Sequence, residues 1–163
     1  MRDVAYVMRL PAIKGICFGL TSGIITTLGM IVGLNSFSGS RSVVIGGILT
    51  IALADSLSDA LGIHVSEESS QECQKHIWVS TIATLISKIL FSLTFIVPIL
   101  VFDYPFAIIA SVVWGLLLLG ITSYAIARAK KESALHVITE HLFIALFVIL
   151  LTHFVTSWIA VYF

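Results

Sequence analysis

Two aspartates stand out because they fall inside a long apolar stretch of the chain. Asp55 and Asp59 lie in the run IGGILTIALADSLSDALGIHV, where most of their neighbours are aliphatic or small. Residues four apart project from the same face of a helix, so the two carboxylates are predicted to lie side by side. Such a pair can bind a hard divalent cation or share a proton. The alternative is a structural role, in an interhelical hydrogen bond or a salt bridge to Lys88.

A second set of polar residues follows the aspartates. His64, Glu68, Glu72 and His76 are each four residues apart, and Glu67 lies beside them. If the helix of the aspartates continues past the membrane, these residues form one stripe of carboxylates and imidazoles. Imidazole with carboxylate suits Mn, Fe, Zn or Co, whereas carboxylate alone suits Mg or Ca. The alternative is a solvated helix end with incidental histidines.

Three further residues are candidates for a polar pathway or for a counter-ion. Lys88 falls inside the third apolar run, and we expect it to pair with an aspartate. Met30 offers a soft thioether ligand, although methionine usually packs. Glu140 opens the last apolar run, where an acid also suits the positive end of a helix dipole. The sequence contains no P-loop, GxSxG or HExxH motif, so nothing in it indicates an enzyme or a tightly bound cofactor.

The composition requires lipid as the main solvent of this chain. Of its 163 residues, 58% are hydrophobic and only 11% are charged. A soluble domain has about 25% charged residues, because it must cover its surface with groups that suit water. The formal net charge is zero, which gives no general attraction to nucleic acid. Two cysteines, Cys17 and Cys73, match neither a disulfide framework nor a metal motif and are expected to be free thiols.

The apolar runs predict how these residues are positioned. A helix needs about 20 apolar residues to cross the hydrocarbon core of a bilayer. We therefore predict an all-α chain that forms one transmembrane domain over residues 1–163, after a short surface segment at 1–14. Its five spans are predicted at about 15–35, 43–63, 77–101, 106–127 and 138–162. The first span is rich in Gly, Ser and Thr, which favours a central position among the helices.

The basic residues of the short loops predict the orientation in the membrane. The side predicted to face the cytoplasm holds Arg2, Arg9, Lys14, Lys75, Arg128, Lys130 and Lys131. The opposite side holds only Arg41. Because Lys and Arg are enriched in cytoplasmic loops, we expect a multi-pass protein of the cell membrane with its N-terminus in the cytoplasm and its C-terminus outside.

Two motifs resemble those of the vacuolar iron transporter family, which includes plant and yeast vacuolar iron and manganese importers. They are GLTSGIITTLGMIVGL in the first span and LSDALGIHVSEES in the second. The late Pro98 of the third span and the basic RAKK end of the fourth also fit the family's order of five helices. The resemblance covers nearly the whole chain. It implies a homodimeric transporter of divalent metal, with a path near the dimer axis and with proton coupling as an option.

The chain departs from this family pattern at four positions of its first two spans. Ser22 stands where the first motif has an acid, and Asp59 stands where the second has a methionine. Ile51 takes the place of the family's glutamate, and Asp55 the place of a small residue. About a dozen residues join spans two and three, so the extended cytoplasmic metal-binding domain is missing. The resemblance thus implies a divergent prokaryotic member, with Ser22 as a further pathway candidate.

These observations together predict a dimeric carrier of a divalent cation, Fe²⁺ or Mn²⁺, in a lipid bilayer. Asp55 and Asp59 would form the intramembrane metal site. The cytoplasmic collecting surface would consist of His64, Glu67, Glu68 and Glu72. One alternative is a membrane protein that uses the same fold for partner binding or sensing without transport. The other is a carrier of protons or monovalent cations.

Overall fold

The computed structural model describes residues 2–162, with side chains from Leu10 onward. Five long helices account for nearly all of these residues, and no strand occurs among them. The helices are α1 (Arg2–Ser38), α2 (Arg41–Ser69), α3 (Gln74–Val101), α4 (Phe106–Lys130) and α5 (Ala134–Tyr162). Each is long and apolar enough to cross a membrane. The prediction of an all-α chain with five potential spans is confirmed.

The first helix begins earlier than its predicted span. It starts at Arg2 and continues through Pro11 to Ser38. Proline has no backbone N–H, so the helix lacks one internal hydrogen bond at Pro11 without ending there. Residues 2–14 are therefore part of α1, and the separate surface segment predicted for this region is not present as its own element.

Helix α1 occupies the centre of the bundle and contacts all four other helices. Gly15, Gly19 and Gly23, each four residues apart, lie along its contact with α3. A Cβ at Gly15 would clash with the Ser80 carbonyl, and one at Gly19 with the Thr84 carbonyl. Small residues at these positions let the two backbones approach closely. The predicted central position of the first span is confirmed.

One cluster of buried apolar side chains joins the helices. Its core consists of Leu20, Ile24, Leu28, Ile31, Val44, Ile48, Phe95, Ile99, Ala107, Ile108, Leu119 and Ala145. The outer faces of the helices also carry large apolar side chains, which are exposed, and α5 has the smallest buried share of the five spans. Helices that are apolar all round are typical of a bilayer environment.

Helix α3 is interrupted once, close to one end. Its regular turns stop at Thr94 and resume at Ile96. Pro98 cannot donate a hydrogen bond to the Thr94 carbonyl, which explains the position of the break. The Thr94 hydroxyl accepts a hydrogen bond of 3.2 Å from the Trp114 indole, so the interrupted turn is joined to α4.

The two ends of the bundle differ in their charged residues. Lys14 and Lys130 line one cavity, so the start of α1 and the end of α4 lie at the same end. We call this the basic end. At the opposite end, Arg41 donates a hydrogen bond of 2.8 Å to the Phe102 carbonyl. This separation agrees with the predicted charge asymmetry, while the orientation in a membrane stays a prediction.

Candidate functional site

A buried lysine joins the two aspartates of α2. Lys88 of α3 has no exposed surface, and its Nζ lies 2.6 Å from Asp55 Oδ2 and 2.5 Å from Asp59 Oδ2. Two carboxylates on one helix face thus contact a single ammonium group. The salt bridge that the sequence left open as a structural alternative is present in the structure.

Ser22 of α1 completes this cluster. Its hydroxyl donates a hydrogen bond of 2.6 Å to Asp59 Oδ2 and accepts one of 3.0 Å from Lys88 Nζ. The family resemblance placed an acid at this position, and the shorter serine leaves room for the lysine ammonium beside Asp59. Residues from α1, α2 and α3 therefore form one hydrogen-bonded unit, to which we refer as the Lys88 cluster (Ser22, Asp55, Asp59 and Lys88).

The two aspartates are held unequally. Lys88 donates a hydrogen bond to Asp59, whereas Asp55 Oδ2 contacts the ammonium without the angles of a hydrogen bond. The Asp55 side chain is 37% exposed and that of Asp59 is 23% exposed. Asp55 is therefore the member of the cluster with the most freedom to bind another group.

A local irregularity of α2 positions Asp55. Residues Ile51–Asp55 form one turn of π-helix, in which the Ser56 backbone N–H bonds to the Ile51 carbonyl, five residues earlier. The wider turn changes which side chains face α1 and α3 before and after it. Single π turns inside α-helices are frequent at functional sites. Asp55 is the last residue of this turn and lies at the middle of the 29-residue span.

A small cavity opens beside Asp55 between α1 and α2. It has a volume of about 420 Å³, and its polar lining consists of Thr26, Thr50, Asp55 and the Met30 thioether. Both threonine hydroxyls donate to carbonyls of their own helices, so their oxygens stay free to accept or to coordinate. Met30 and Asp55 were predicted from the sequence as separate candidates, and in the structure both line this cavity.

These groups could contribute to a cation site without completing one. Among the residues with described side chains, no three of His, Cys, Asp and Glu converge closely enough to hold a metal ion. The divalent cations Ca²⁺ and Mg²⁺ prefer six or more oxygen ligands. A cation at Asp55 would therefore need the hydroxyls, the thioether, water or groups from a second chain.

The predicted continuous stripe after span two is not formed. Helix α2 ends at Ser69, and the chain turns at Gln71, whose φ of 57° is left-handed. Glu72 then lies in the turn and His76 in the first turn of α3. The stripe would form only if α2 continued past Ser69. The chain instead reverses its direction between residues 70 and 73.

The members of that stripe have separate surroundings. The Nδ1 of His64 lies 3.1 Å from the Thr81 hydroxyl of α3, and its ring contacts Trp78 edge to face. Glu68 is exposed. Glu72 and His76 pair with each other at 3.3 Å. His64 thus connects α2 to α3, and the carboxylates form no shared centre with it.

Glu67 and Glu140 differ in what surrounds them. The side chain of Glu67 is only 5% exposed and pairs with Lys14 of α1. Glu140 is exposed, and its neighbour His141 bonds to the Ser123 hydroxyl of α4 at 2.8 Å. Sequence reasoning missed Lys14, Thr26 and Thr50 as polar partners. Thr26 could have been found from its position one helical turn after Ser22.

The fold and this site define a five-helix membrane protein with a charged cluster among three of its helices. Comparisons with protein-family models, with curated proteins and with solved structures give no match for this chain. The resemblance to vacuolar iron transporters therefore rests on sequence alone: the two helix motifs, Pro98 and the basic RAKK stretch of residues 128–131.

Proposed function

We propose that the protein is a homodimeric membrane carrier of a divalent cation, Fe²⁺ or Mn²⁺, which binds at Asp55 and Asp59. The observation that carries this proposal is the position of Asp55, a partly exposed carboxylate at the middle of a span. Placing a charged carboxylate at the centre of a bilayer costs about 3 kcal/mol or more. Such a residue persists where it faces a partner chain or a polar path.

The outward face of α2 supports association with a second copy. Small side chains recur there at every fourth position, next to Asp55, and all of them are exposed: Gly46, Thr50, Ala54, Ser58 and Gly62. A Cβ at Gly46 or Gly62 would meet nothing within 4 Å in the single chain. Small residues at this spacing favour close packing of helices in membranes. A symmetric pair would bring two copies of Asp55 towards one axis.

In this proposal Lys88 is the resident cation of the site. Its ammonium and an incoming metal ion compete for the same carboxylate oxygens of Asp55 and Asp59. Metal binding between the aspartates requires that the ammonium withdraw or lose its proton. The less firmly held Asp55 is the first contact for the metal, and Asp59 follows as Lys88 is displaced. Transport then alternates between a lysine-paired and a metal-paired site.

The test is uptake of Mn²⁺ and Fe²⁺ into proteoliposomes. Asp55→Asn and Asp59→Asn are each expected to abolish uptake, because each variant replaces a charged carboxylate ligand with a neutral amide. Asp103→Asn is the matched control, since Asp103 is exposed in the loop between α3 and α4. Uptake that is equal in the wild type and both intramembrane variants would contradict the assignment.

One observation favours a second candidate, a non-transporting membrane protein that binds a partner or senses a signal. Lys88 is entirely buried and bonded to both Ser22 and Asp59, as a structural ion pair would be. In that case the wild type takes up no metal, and divalent ions leave its melting temperature unchanged. Uptake of protons or monovalent cations alone would instead support the third alternative.

A further inference from the structure

The basic end of the bundle contains a second and larger cavity, with a volume of about 800 Å³. Its apolar wall includes Leu10, Ile13 and Phe18 of α1 and Ile126 of α4. We call it the basic-end cavity. The volume falls in the range of pockets that hold small organic ligands. None of the roles considered for the Lys88 cluster uses this space.

The carboxylates that line the basic-end cavity already have partners. Glu67, which is almost completely buried, contacts the ammonium of Lys14. Glu72 Oε2 accepts a hydrogen bond of 3.3 Å from His76 Nδ1. Because a carboxylate only accepts, this nitrogen of His76 must carry a proton. The acids of the cavity are thus neutralised by residues of the chain itself.

Glu67 Oε1 contacts Lys14 as an ion pair without the angles of a hydrogen bond, and three nitrogens of the cavity lack a partner among the described residues. His76 Nε2 is buried and has no hydrogen-bond partner among the described residues. His141 Nδ1 pairs with the Ser123 hydroxyl, and when the hydroxyl is the donor, His141 Nε2 carries the proton and can donate. Lys130 also lines the cavity, and its ammonium lies within 4 Å of no carboxylate in the part of the chain with described side chains. An anionic group with acceptor oxygens would pair with the Lys130 ammonium, and it would also accept hydrogen bonds from these imidazole nitrogens when they carry a proton.

The charges lead to the same conclusion. Lys14 pairs with Glu67, and Glu72 pairs with His76, so both acids of the cavity are engaged by residues of the chain. Among the described residues that line the cavity, Lys130 is the cation that has no carboxylate within 4 Å. A partner for Lys130 in this cavity would be anionic, accept hydrogen bonds and suit an apolar wall. A phospholipid with a single net negative charge combines these properties, and basic pockets between transmembrane helices are known to bind such headgroups.

We propose that the basic-end cavity is a binding site for one anionic phospholipid. The phosphate contacts Lys130 and the free nitrogens of His76 and His141. An acyl chain runs along the apolar wall formed by Ile13, Phe18 and Ile126. This inference is independent of metal transport, since none of these residues belongs to the Lys88 cluster.

The test is lipid binding to the purified, delipidated chain in detergent, followed by native mass spectrometry. Phosphatidylglycerol is titrated against phosphatidylcholine and against inorganic phosphate. We expect phosphatidylglycerol to bind most tightly, and Lys130→Gln to weaken it about fivefold, since a basic residue contributes about 1 kcal/mol at a lipid headgroup. Lys131→Gln is the matched control, because Lys131 is the next residue and does not line the cavity.

A second variant tests the location without changing any charge of the lysines or acids. Cys17 lines the basic-end cavity, and Cys17→Trp would fill part of the space. It should displace phosphatidylglycerol while Lys131→Gln binds it normally. Equal binding of phosphatidylcholine, equal losses in the two lysine variants, or competition by inorganic phosphate at the same concentration as lipid would each overturn the proposal. If Cys17→Trp does not fold, the comparison of the lysine variants decides.

Discussion

At the scale of single residues, the buried ammonium of Lys88 explains why two acids are tolerated within the bundle. An ammonium has three N–H donors. Two are used in hydrogen bonds to Ser22 and Asp59, and Asp55 Oδ2 lies 2.6 Å from the nitrogen without the angles of a hydrogen bond. Each acid lies next to opposite charge, which offsets much of the cost of removing it from water. The same contacts make the cluster sensitive to the loss of any one charge.

Replacing Lys88 is therefore expected to destabilise the protein strongly. Lys88→Met leaves both carboxylates without a counter-ion, and breaking a buried ion pair in this way costs about 3–5 kcal/mol. The measurement is thermal or denaturant unfolding in detergent. Adding Asp59→Asn to Lys88→Met should restore part of the loss, because one unpaired charge is then removed.

The control for this prediction is Lys75→Met, which removes an exposed lysine near the start of α3. Its stability should stay close to that of the wild type. A Lys88→Met protein as stable as the Lys75→Met control would mean that the Lys88 contacts contribute little.

At the scale of the helices, the contact between α1 and α3 determines the position of Lys88 relative to Ser22. Gly15, Gly19 and Gly23 face Ser80, Thr84 and Lys88 in successive turns. The third of these glycines lies against Lys88 itself, so the close approach of the two backbones also brings Ser22 to the ammonium. A wider separation would leave Ser22 out of the cluster.

A methyl group at this contact should therefore weaken the fold. In Gly19→Ala the new Cβ would clash with the Thr84 carbonyl and the Ser87 hydroxyl, and overpacking of this kind costs about 1–3 kcal/mol. Gly120→Ala of α4 is the matched control, because a Cβ there meets nothing within 4 Å. It should be neutral or slightly stabilising, since alanine favours helix. Equal melting temperatures for the two variants would contradict this account of the glycines.

The sequence predicted the helices far better than their interruptions. A run of about 20 apolar residues has the length of a helix that crosses a bilayer, so the positions of the five spans could be predicted. A lysine within such a run needs an opposite charge, which is why Lys88 was expected to pair with an aspartate. The reversal at Gln71 could not be predicted, because neither Gly nor Pro marks it. The π turn at Ile51–Asp55 also has no sequence signal.

At the scale of the whole molecule, the proposed dimer predicts which cysteine variants crosslink. In a two-fold symmetric pair, identical residues approach each other only close to the axis. With Cys17 and Cys73 replaced by serine, Ser58→Cys on the outward face of α2 should form an intermolecular disulfide under mild oxidation. Leu150→Cys, exposed on α5, serves as the control and should stay monomeric. Efficient crosslinking of the α5 variant alone would place the interface elsewhere.

The Lys88 cluster also makes the proposed carrier sensitive to the membrane potential. Two carboxylates and one ammonium give the lysine-paired cluster one net negative charge, whereas the two carboxylates with a divalent ion in place of the ammonium have no net charge. Each elementary charge that crosses the membrane changes in energy by about 2.3 kcal/mol per 100 mV. An inside-negative potential therefore drives the negatively charged, lysine-paired site outward and does not act on the neutral, metal-paired site. The exchange of the lysine ammonium for metal would in this way make transport depend on voltage, and uptake under imposed potassium diffusion potentials would measure it.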